Sequence, residues 1–488
     1  MIFMFDTKEK NLLKLNGAPQ RARGPLFHGP WSRELQALLA IGAPMGLTQL
    51  VQFSVNTIDI LMIGRLGAEP LAGSSLGLVI FYTTFLAGLG PALAVTPLVS
   101  QALGANRESY SDARISVRMG LWTVFLGFPL MLLFYLSAEK LALALGQPEA
   151  LARLAGPYVL ALGPSLPFML GVIILRNFLA AIGRTLVPLL IILFTTVENG
   201  ALNYLLIYGH WGMPRLELVG AGLASAISHA TGFMMIVAYI FFERRAAKFE
   251  IFKNLLEPHW DRMREILRLG WPIGLASAFE ALLFNAAVFL MGRIGVDEVA
   301  AYQVALNICA LAFMMPLGIA MAGGVRVGLA KGAGDLVGVR RAAVVTIGVS
   351  IAFMVLFWLP VMAAPHAVSG FYLNAEQAGN AEVLALVISF LPIAAAFAVF
   401  DATQVAAMQC LRGLKDVRIP MAIAGLAYWL VGFPISAGLG LMTPMASAGV
   451  WWGLLVALGL AAGLLSARLY WLTRSDRPAG AAAAQLSR

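Results

Sequence analysis

The stretches Gly42-APMGLTQLVQFSVNTIDILMIGRL-Gly67 and Gly270-WPIGLASAFEALLFNAAVFLMGRI-Gly295 carry the same punctuation on different letters. Gly42, Pro44, Gly46, Gly64, Arg65 and Gly67 in the first fall on Gly270, Pro272, Gly274, Gly292, Arg293 and Gly295 in the second. The register continues through Ala72, Leu78, Phe85, Gly90, Gly104 and Ala105 against Ala300, Leu306, Phe313, Gly318, Gly332 and Ala333. The offset is constant at 228 residues (270 minus 42, and 333 minus 105), so two helices and their loops align without a gap. Shared apolar composition does not produce such a register. The chain is an internal duplicate.

What is duplicated lies in lipid. Mean hydropathy is +0.82, with 60% of residues hydrophobic and 12% charged, about half the charge of a soluble domain. Long apolar runs recur, each with the roughly 20 residues that a spanning helix needs. A spanning barrel would instead show ~10-residue alternating segments. The spans read as 35–64, 71–101, 112–137, 151–182, 186–208 and 219–242, then 266–292, 299–329, 339–363, 382–411, 417–440 and 446–472. The fold class is therefore an all-α integral membrane protein, with twelve transmembrane helices as two six-helix parallel repeats around a central cavity. The expected organisation is an N-terminal segment (1–34), an N-terminal lobe (35–242), a linker (243–265), a C-terminal lobe (266–472) and a tail (473–488).

Orientation is read from Lys and Arg. With the N-terminus inside, the inner segments hold Lys8 to Arg33, Arg107 to Arg118, Arg184, Arg244 to Arg268, Lys331 to Arg341, Arg412 to Arg418 and Arg468 to Arg488. The outer loops hold only Arg65, Lys140, Arg153, Arg215 and Arg293. Both termini are expected on the cytoplasmic side of the membrane. The net charge of +9 is then a topology signal, and no nucleic-acid partner is expected. The polar first 29 residues show no removable leader, and the Ala-rich tail after Arg477 reads as disordered.

Three carboxylates, Asp59, Glu280 and Asp401, stand inside the apolar spans. A charge at the bilayer centre costs between about 2.5 and 17 kcal/mol, so it persists only where it faces a cavity or a partner. These three read as cation-coupling groups of a transporter. Each lobe keeps an acid on its first helix at a different level, because Gln52 matches Glu280 and Ala287 matches Asp59. Gln49, Gln52, Asn56 and Asp59 share a helix face. Other polar stripes are Thr195, Asn199 and Asn203 with Glu198 adjacent; Ser277, Glu280 and Phe284; Gln303 and Asn307; and Phe397, Asp401 and Gln404. Carboxylate, carboxamide and hydroxyl oxygens suit Na⁺, and a buried carboxylate can equally take a proton.

Amides in membrane helices also serve as interhelical glue at about 0.6 kcal/mol each, which is the plainer reading of Gln49, Gln52, Gln404 and Asn307. Arg176 pairs with one of the acids or lies near the cytoplasmic end; the sequence leaves this open. His229 reads as a packed polar residue, and Trp451 as packing or interfacial belt. There is no GxxxxGK[ST] loop for ATP, no HExxH, no nucleophile elbow, and only Cys309 and Cys410. Neither an enzyme nor a cofactor is indicated.

The segments Met62-IGRLGAEPLA-Gly73, Ala300-AYQVAL-Asn307, Pro316-LGIAMAGGVRV-Gly328 and Asp401-ATQVAAMQCLRGLK-Asp416 resemble the multidrug and toxic compound extrusion (MATE) family, in its NorM-like bacterial branch. The resemblance runs over nearly all of 35–472. It implies a secondary active multidrug efflux antiporter that exports cationic amphipathic compounds in exchange for Na⁺ or H⁺ by alternating access. It also makes Asp59, Glu280 and Asp401, with Asn199 and Asn203 of Glu198-NGALNYLLIY-Gly209, the coupling residues, and Glu280 with Asp401 the Na⁺ candidates. Gln52, Asn56, Glu198, Gln303, Asn307, Phe397 and Gln404 are the candidates for the substrate cavity.

The sequence departs from the family pattern in four places. Phe397 stands where Na⁺-binding relatives have tyrosine, Tyr302 replaces a histidine, Glu198 is an added acid, and Ala180-AIGRTLV-Pro188 lacks a usual acid. The expected partners are small cationic drugs or dyes and the bilayer, with the chain acting as a monomer. The alternative reading is a flippase for lipid-linked saccharides, whose cavity would be rich in basic residues.

Overall fold

A computed structural model describes residues 29–106, 110–372 and 380–474. Residues 1–28 of the N-terminal segment, the loop residue Arg107 and the Ala-rich tail lie outside the described residues. The described chain is helical, and twelve elements are long and apolar enough to cross a membrane if one bent pair counts as a single span. They are α1 (Pro30–Gly64), α2 (Ala68–Ala105), α3 (Tyr110–Leu136), α4 (Glu149–Leu162 with Ser165–Ala181), α5 (Leu186–Tyr208) and α6 (Glu217–Phe242). The second half repeats them as α7 (Trp260–Ile294), α8 (Val296–Gly332), α9 (Leu336–Ala363), α10 (Asn380–Gly413), α11 (Arg418–Met442) and α12 (Ala446–Thr473).

The span expected at 151–182 is not continuous. It bends by 45° at Gly163-Pro164, where proline removes a ladder donor and its ring displaces the preceding carbonyl. A second irregularity is the π-helical stretch Leu426–Gly432 in α11, directly ahead of Pro434, whose ring excludes the carbonyl four residues earlier. Pro44 leaves α1 continuous. The carbonyl it frees, that of Ala40, accepts the Thr185 hydroxyl from across the helix interface at 3.4 Å, the kind of repair that makes proline tolerable in a bundle.

Each half has its own buried core. One is built around residues such as Leu98, Val117, Leu170 and Phe178, the other around Leu391, Trp451 and Leu458. Large apolar side chains such as Leu130, Val197, Phe289 and Leu430 face outward, as a lipid-facing surface requires.

The halves meet as a twofold demands: α1 packs on α8 and α2 on α7, and α3 lies against α7 as α9 lies against α1. At these crossings glycines let backbones touch. A Cβ on Gly318 would stand 2.1 Å from the Gly46 amide nitrogen, and one on Gly90 would stand 2.2 Å from the Gly270 oxygen and 2.8 Å from the Gly274 nitrogen. The offset of 228 converts Gly46 and Gly90 into Gly274 and Gly318, so the two crossings are copies of one contact. Gly104 against Leu329 and Gly332 against Gln101 form a second such set.

All these contacts lie toward one end of the bundle, where α1, α3, α7, α9 and α11 begin, the end that also gathers Arg114, Arg262, Lys331, Arg340 and Lys415. There Arg326 of α8 also grips Glu34 of α1 through Nε and Nη2 at 2.8 and 2.6 Å, and Gln101 donates to the Gly413 carbonyl at 2.8 Å. Beyond Thr48 the lobes part. No residue of α1 from Gln49 to Met62 is fully buried.

A cavity walled by acids and amides from both lobes

Between the parted lobes lies a cavity of about 720 Å³, lined by α1, α2 and α4 to α6 on one side and by α7, α8, α10 and α11 on the other. It falls within the roughly 300–1,000 Å³ of small-molecule sites.

The N-terminal wall is organised around Asp59. Asn199 and Asn203 sit one turn apart on the face of α5 that packs against α1. Asn203 Nδ2 donates to Asp59 Oδ1 at 2.5 Å and to Asn199 Oδ1 at 3.2 Å, and Ser225 Oγ of α6 reaches Asp59 Oδ2 at 3.5 Å. Lower on α1, Gln49 and Gln52 turn their Oε1 atoms to Arg176 of α4, whose Nη1 donates to them at 3.0 and 3.1 Å. Arg176 thus pairs with no acid among the described residues, and its partners are neutral amides. Asn56 and His229 also line the cavity, and His229 Nδ1 donates to the Ser225 carbonyl at 2.7 Å.

The C-terminal wall holds the other two acids. Gln404 Nε2 donates to Glu280 Oε1 at 3.0 Å and to Asp401 Oδ1 at 3.3 Å. One nitrogen serves both bonds, so these two carboxylate oxygens lie no more than 6.3 Å apart. Two full charges at about 5–6 Å repel by roughly 3 kcal/mol at an effective dielectric of ~20. A bound cation, metal or proton, relieves that repulsion. Phe397 is buried one turn before Asp401, its ring 5.9 Å from Phe284 and 5.5 Å from Trp451. Trp451 is itself wholly buried among Tyr302, Phe390 and Phe397, which makes it a packing residue.

Three of the expected cavity residues are elsewhere. Glu198 lies between α5 and α6, where its Oε1 accepts from Thr231 at 2.9 Å. It precedes Asn199 by one residue, about 100° of helix rotation, so the two cannot share a face. Gln303 and Asn307 are exposed on the outer side of α8, and Asn307 Oδ1 accepts from the Tyr372 hydroxyl at 3.1 Å. The cavity face of α8 is apolar: Leu306, Ala310, Phe313 and Leu317.

The cavity also contains residues that the stripes did not single out. Arg412 extends the line of Asp401, Gln404 and Met408 down one face of α10, a periodicity visible in the sequence. Tyr428 enters from the π-helical turn of α11, where helical spacing gives no signal. The acid missing from Ala180–Pro188 has an explanation as well. Arg184 there pairs with Glu243 at 3.0 Å, whereas in the other lobe Asp416 pairs with Arg468 at 2.9 Å, so the same tie is made with its charges exchanged.

The MatE family model matches this chain twice, over residues 44–205 and 272–437, and the two starts differ by the 228 residues of the repeat. A protein of Mesorhizobium japonicum named "Probable multidrug resistance protein NorM" is 37% identical over 446 residues, 91% of this chain and 95% of that one. One of the same name from Rhizobium meliloti is 40% identical over 456 residues, 93% and 96% of the two chains. Among solved structures, "Outward-facing conformation of a multidrug resistance MATE family transporter of the MOP superfamily" superposes with a TM-score of 0.81 at 19% identity, over 90% of this chain and 96% of that one. The duplicated twelve-helix fold, the double match and the full-length relatives agree: the chain belongs to the MatE family of membrane transporters.

Proposed function

We propose that the chain is a secondary active multidrug efflux antiporter of the bacterial plasma membrane, exporting cationic amphipathic compounds in exchange for Na⁺ or H⁺. The observation that carries this reading is the carboxylate pair Glu280 and Asp401, joined through Gln404 and opening onto the same drug-sized cavity as Asp59. A coupling cation neutralises the pair, and a cationic drug competes for the same negative field. The relatives' name, multidrug resistance protein, is in keeping with this. Asp59, held by Asn203 beside Asn199, is the second cation site. Gln52, Asn56, Phe397 and Gln404 contact substrate.

The positive-inside rule puts the basic end, where the lobes touch, in the cytoplasm, so this conformation opens outward. Alternating access requires the lobes to rock about the cavity, with drug and ion favouring opposite-facing states by their differential affinities. Both cavity walls come from one chain, so the unit is a monomer. A lipid-linked saccharide is not favoured, since the walls carry acids and amides.

The test is ethidium efflux from proteoliposomes under an imposed Na⁺ gradient at equal pH, then under a pH gradient without Na⁺, for wild type and Asp401→Asn. Efflux by wild type under at least one gradient, and none by the folded variant, is the expected result. Undiminished efflux by Asp401→Asn would remove the pair from the mechanism.

A further inference from the structure

Arg176 is a buried cation with no anion to answer it. Its side chain stands in the cavity wall and is 5% exposed. Only Nη1 is engaged, and its acceptors are the neutral amides of Gln49 and Gln52. Nε is buried without a partner, and among the described residues no carboxylate lies within ion-pairing distance. Such a group is unfavourable unless something of opposite charge completes it.

The duplication shows where the counter-charge is missing. Gln52 occupies the repeat position of Glu280, so an amide stands where the other lobe has an acid, and it is this amide that Arg176 touches. Arg412, the other arginine of the cavity, also has a buried Nε without a partner, but it lies in the lobe that kept the acid, and Glu280 lines the same cavity. The same protein also shows what an arginine edge of this kind binds. Arg326 uses its Nε and Nη2 to hold both oxygens of Glu34, the side-on fork that fits a carboxylate. On Arg176 Nε is covered by protein, and Nη2, which makes no hydrogen bond among the described residues, is the donor left open to a ligand.

We propose that Arg176 is a specificity-determining residue that receives the carboxylate of zwitterionic substrates, whose cationic end is held by the acids of the same cavity. This rests on the efflux reading in taking the cavity as the drug site. It narrows the substrate class to compounds that carry a carboxylate beside their positive charge, and it gives the N-terminal wall a selective role that the acids cannot supply.

Rhodamine 123 and rhodamine 110 make the matched probe, because the first is the methyl ester of the second and differs only in lacking the free carboxylate. Binding of each dye to the purified full chain is followed by fluorescence polarisation, and efflux of each from proteoliposomes, for wild type, Arg176→Gln and Arg176→Lys. Loss of a charge-assisted hydrogen bond predicts that Arg176→Gln binds rhodamine 110 about 10- to 100-fold more weakly while rhodamine 123 binding is held or improved. Arg176→Lys, which keeps the charge but not the guanidinium geometry, falls between. Equal weakening of both dyes by Arg176→Gln in a chain that unfolds at the wild-type temperature would make Arg176 a structural residue and overturn the proposal. So would unchanged binding of rhodamine 110. Binding that discriminates as expected without transport of either dye would instead overturn the efflux reading and leave the Arg176 assignment standing.

Discussion

Replacing Gly318 or Gly90 by alanine is the sharpest test of the closed end, because the obstacle is backbone on both sides. The new Cβ at 318 would stand 2.1 Å from the nitrogen and 2.3 Å from the Cα of Gly46, and that at 90 would stand 2.2 Å from the Gly270 oxygen. Carbon contacts settle at about 3.5–4.0 Å, so each helix pair must part by more than about 1 Å. Neither partner is a side chain that can rotate away. Overpacking of this kind costs about 1–3 kcal/mol.

That cost is paid only by the state in which the lobes touch at the basic end, whereas alanine's helix-propensity advantage of ~1 kcal/mol over glycine is felt in both states and cancels. The equilibrium should therefore move toward opening at the basic end by about 5- to 150-fold. The assay places a cysteine at Ser277, which lines the cavity, in a background lacking Cys309 and Cys410. Labelling by a membrane-impermeant maleimide is then compared from each face of oriented vesicles. Wild type should label from the face opposite the basic end, and Gly318→Ala should gain labelling from the basic side. Gly348→Ala, where a Cβ meets nothing within 4 Å, should leave the pattern alone. If Gly318→Ala labels and transports as wild type does, the glycine crossings are not the closure.

The Glu34–Arg326 pair bridges the same closure, with side chains 9% and 15% exposed. Arg326→Ala should cost about 2–5 kcal/mol of lobe contact, much of it from stranding the carboxylate, and Glu34→Gln in the same chain should recover part of it. Thermal unfolding in detergent reads both, and equal destabilisation of single and double variants would show that the stranded charge is not the cause. Asn203→Leu deprives Asp59 of its 2.5 Å donor, a hydrogen bond to a charged group worth about 1.5–3 kcal/mol. It should weaken cation-driven dye efflux by about tenfold or more, whereas Ser225→Ala, whose contact is 3.5 Å long, should change it little. A larger loss from Ser225→Ala than from Asn203→Leu would contradict the order of these distances.

The repeat was the legible part of the fold, since glycine, proline and arginine at a fixed offset survive whatever the intervening apolar letters become. The breaks were not legible, because proline alone does not announce them. Pro44 sits in a continuous helix where Thr185 supplies the lost donor, while Pro164 sits at a 45° bend; the difference lies in a neighbour more than a hundred residues away. In the cavity, the stripe from Gln49 to Asp59 was readable because α1 has one polar face and that face is the wall. The same reasoning failed on α8, whose polar pair Gln303 and Asn307 lies on the outer side while its wall face is apolar. A polar stripe shows that a helix face has polar surroundings, as Asn307 has in Tyr372, without saying whether those surroundings are the cavity. The 100° between Glu198 and Asn199 was available from the sequence alone, and it separates the two correctly.

The backbone contacts between the lobes obey the twofold and the charged contacts do not. Gly46 on Gly318 is repeated as Gly274 on Gly90, yet the repeat positions of Glu34 and Arg326 are Arg262 and Leu98, which cannot form the same pair; Arg262 turns instead to Glu265 and Asp112. Gln52 stands opposite Glu280, and the tie between Arg184 and Glu243 reverses its signs in Asp416 and Arg468. Rocking of two lobes about a shared cavity needs matched crossings, because a helix pair that closes more tightly on one side would hold the bundle in one state. Coupling needs the opposite. An ion and a drug shift the same equilibrium in opposite directions only if they favour opposite-facing states, and walls of different charge give the two ligands different partners. In this chain the duplicated glycines stay in register while the charges differ between the halves, and the arginine beside Gln52 stands in the wall whose repeat position lacks the acid.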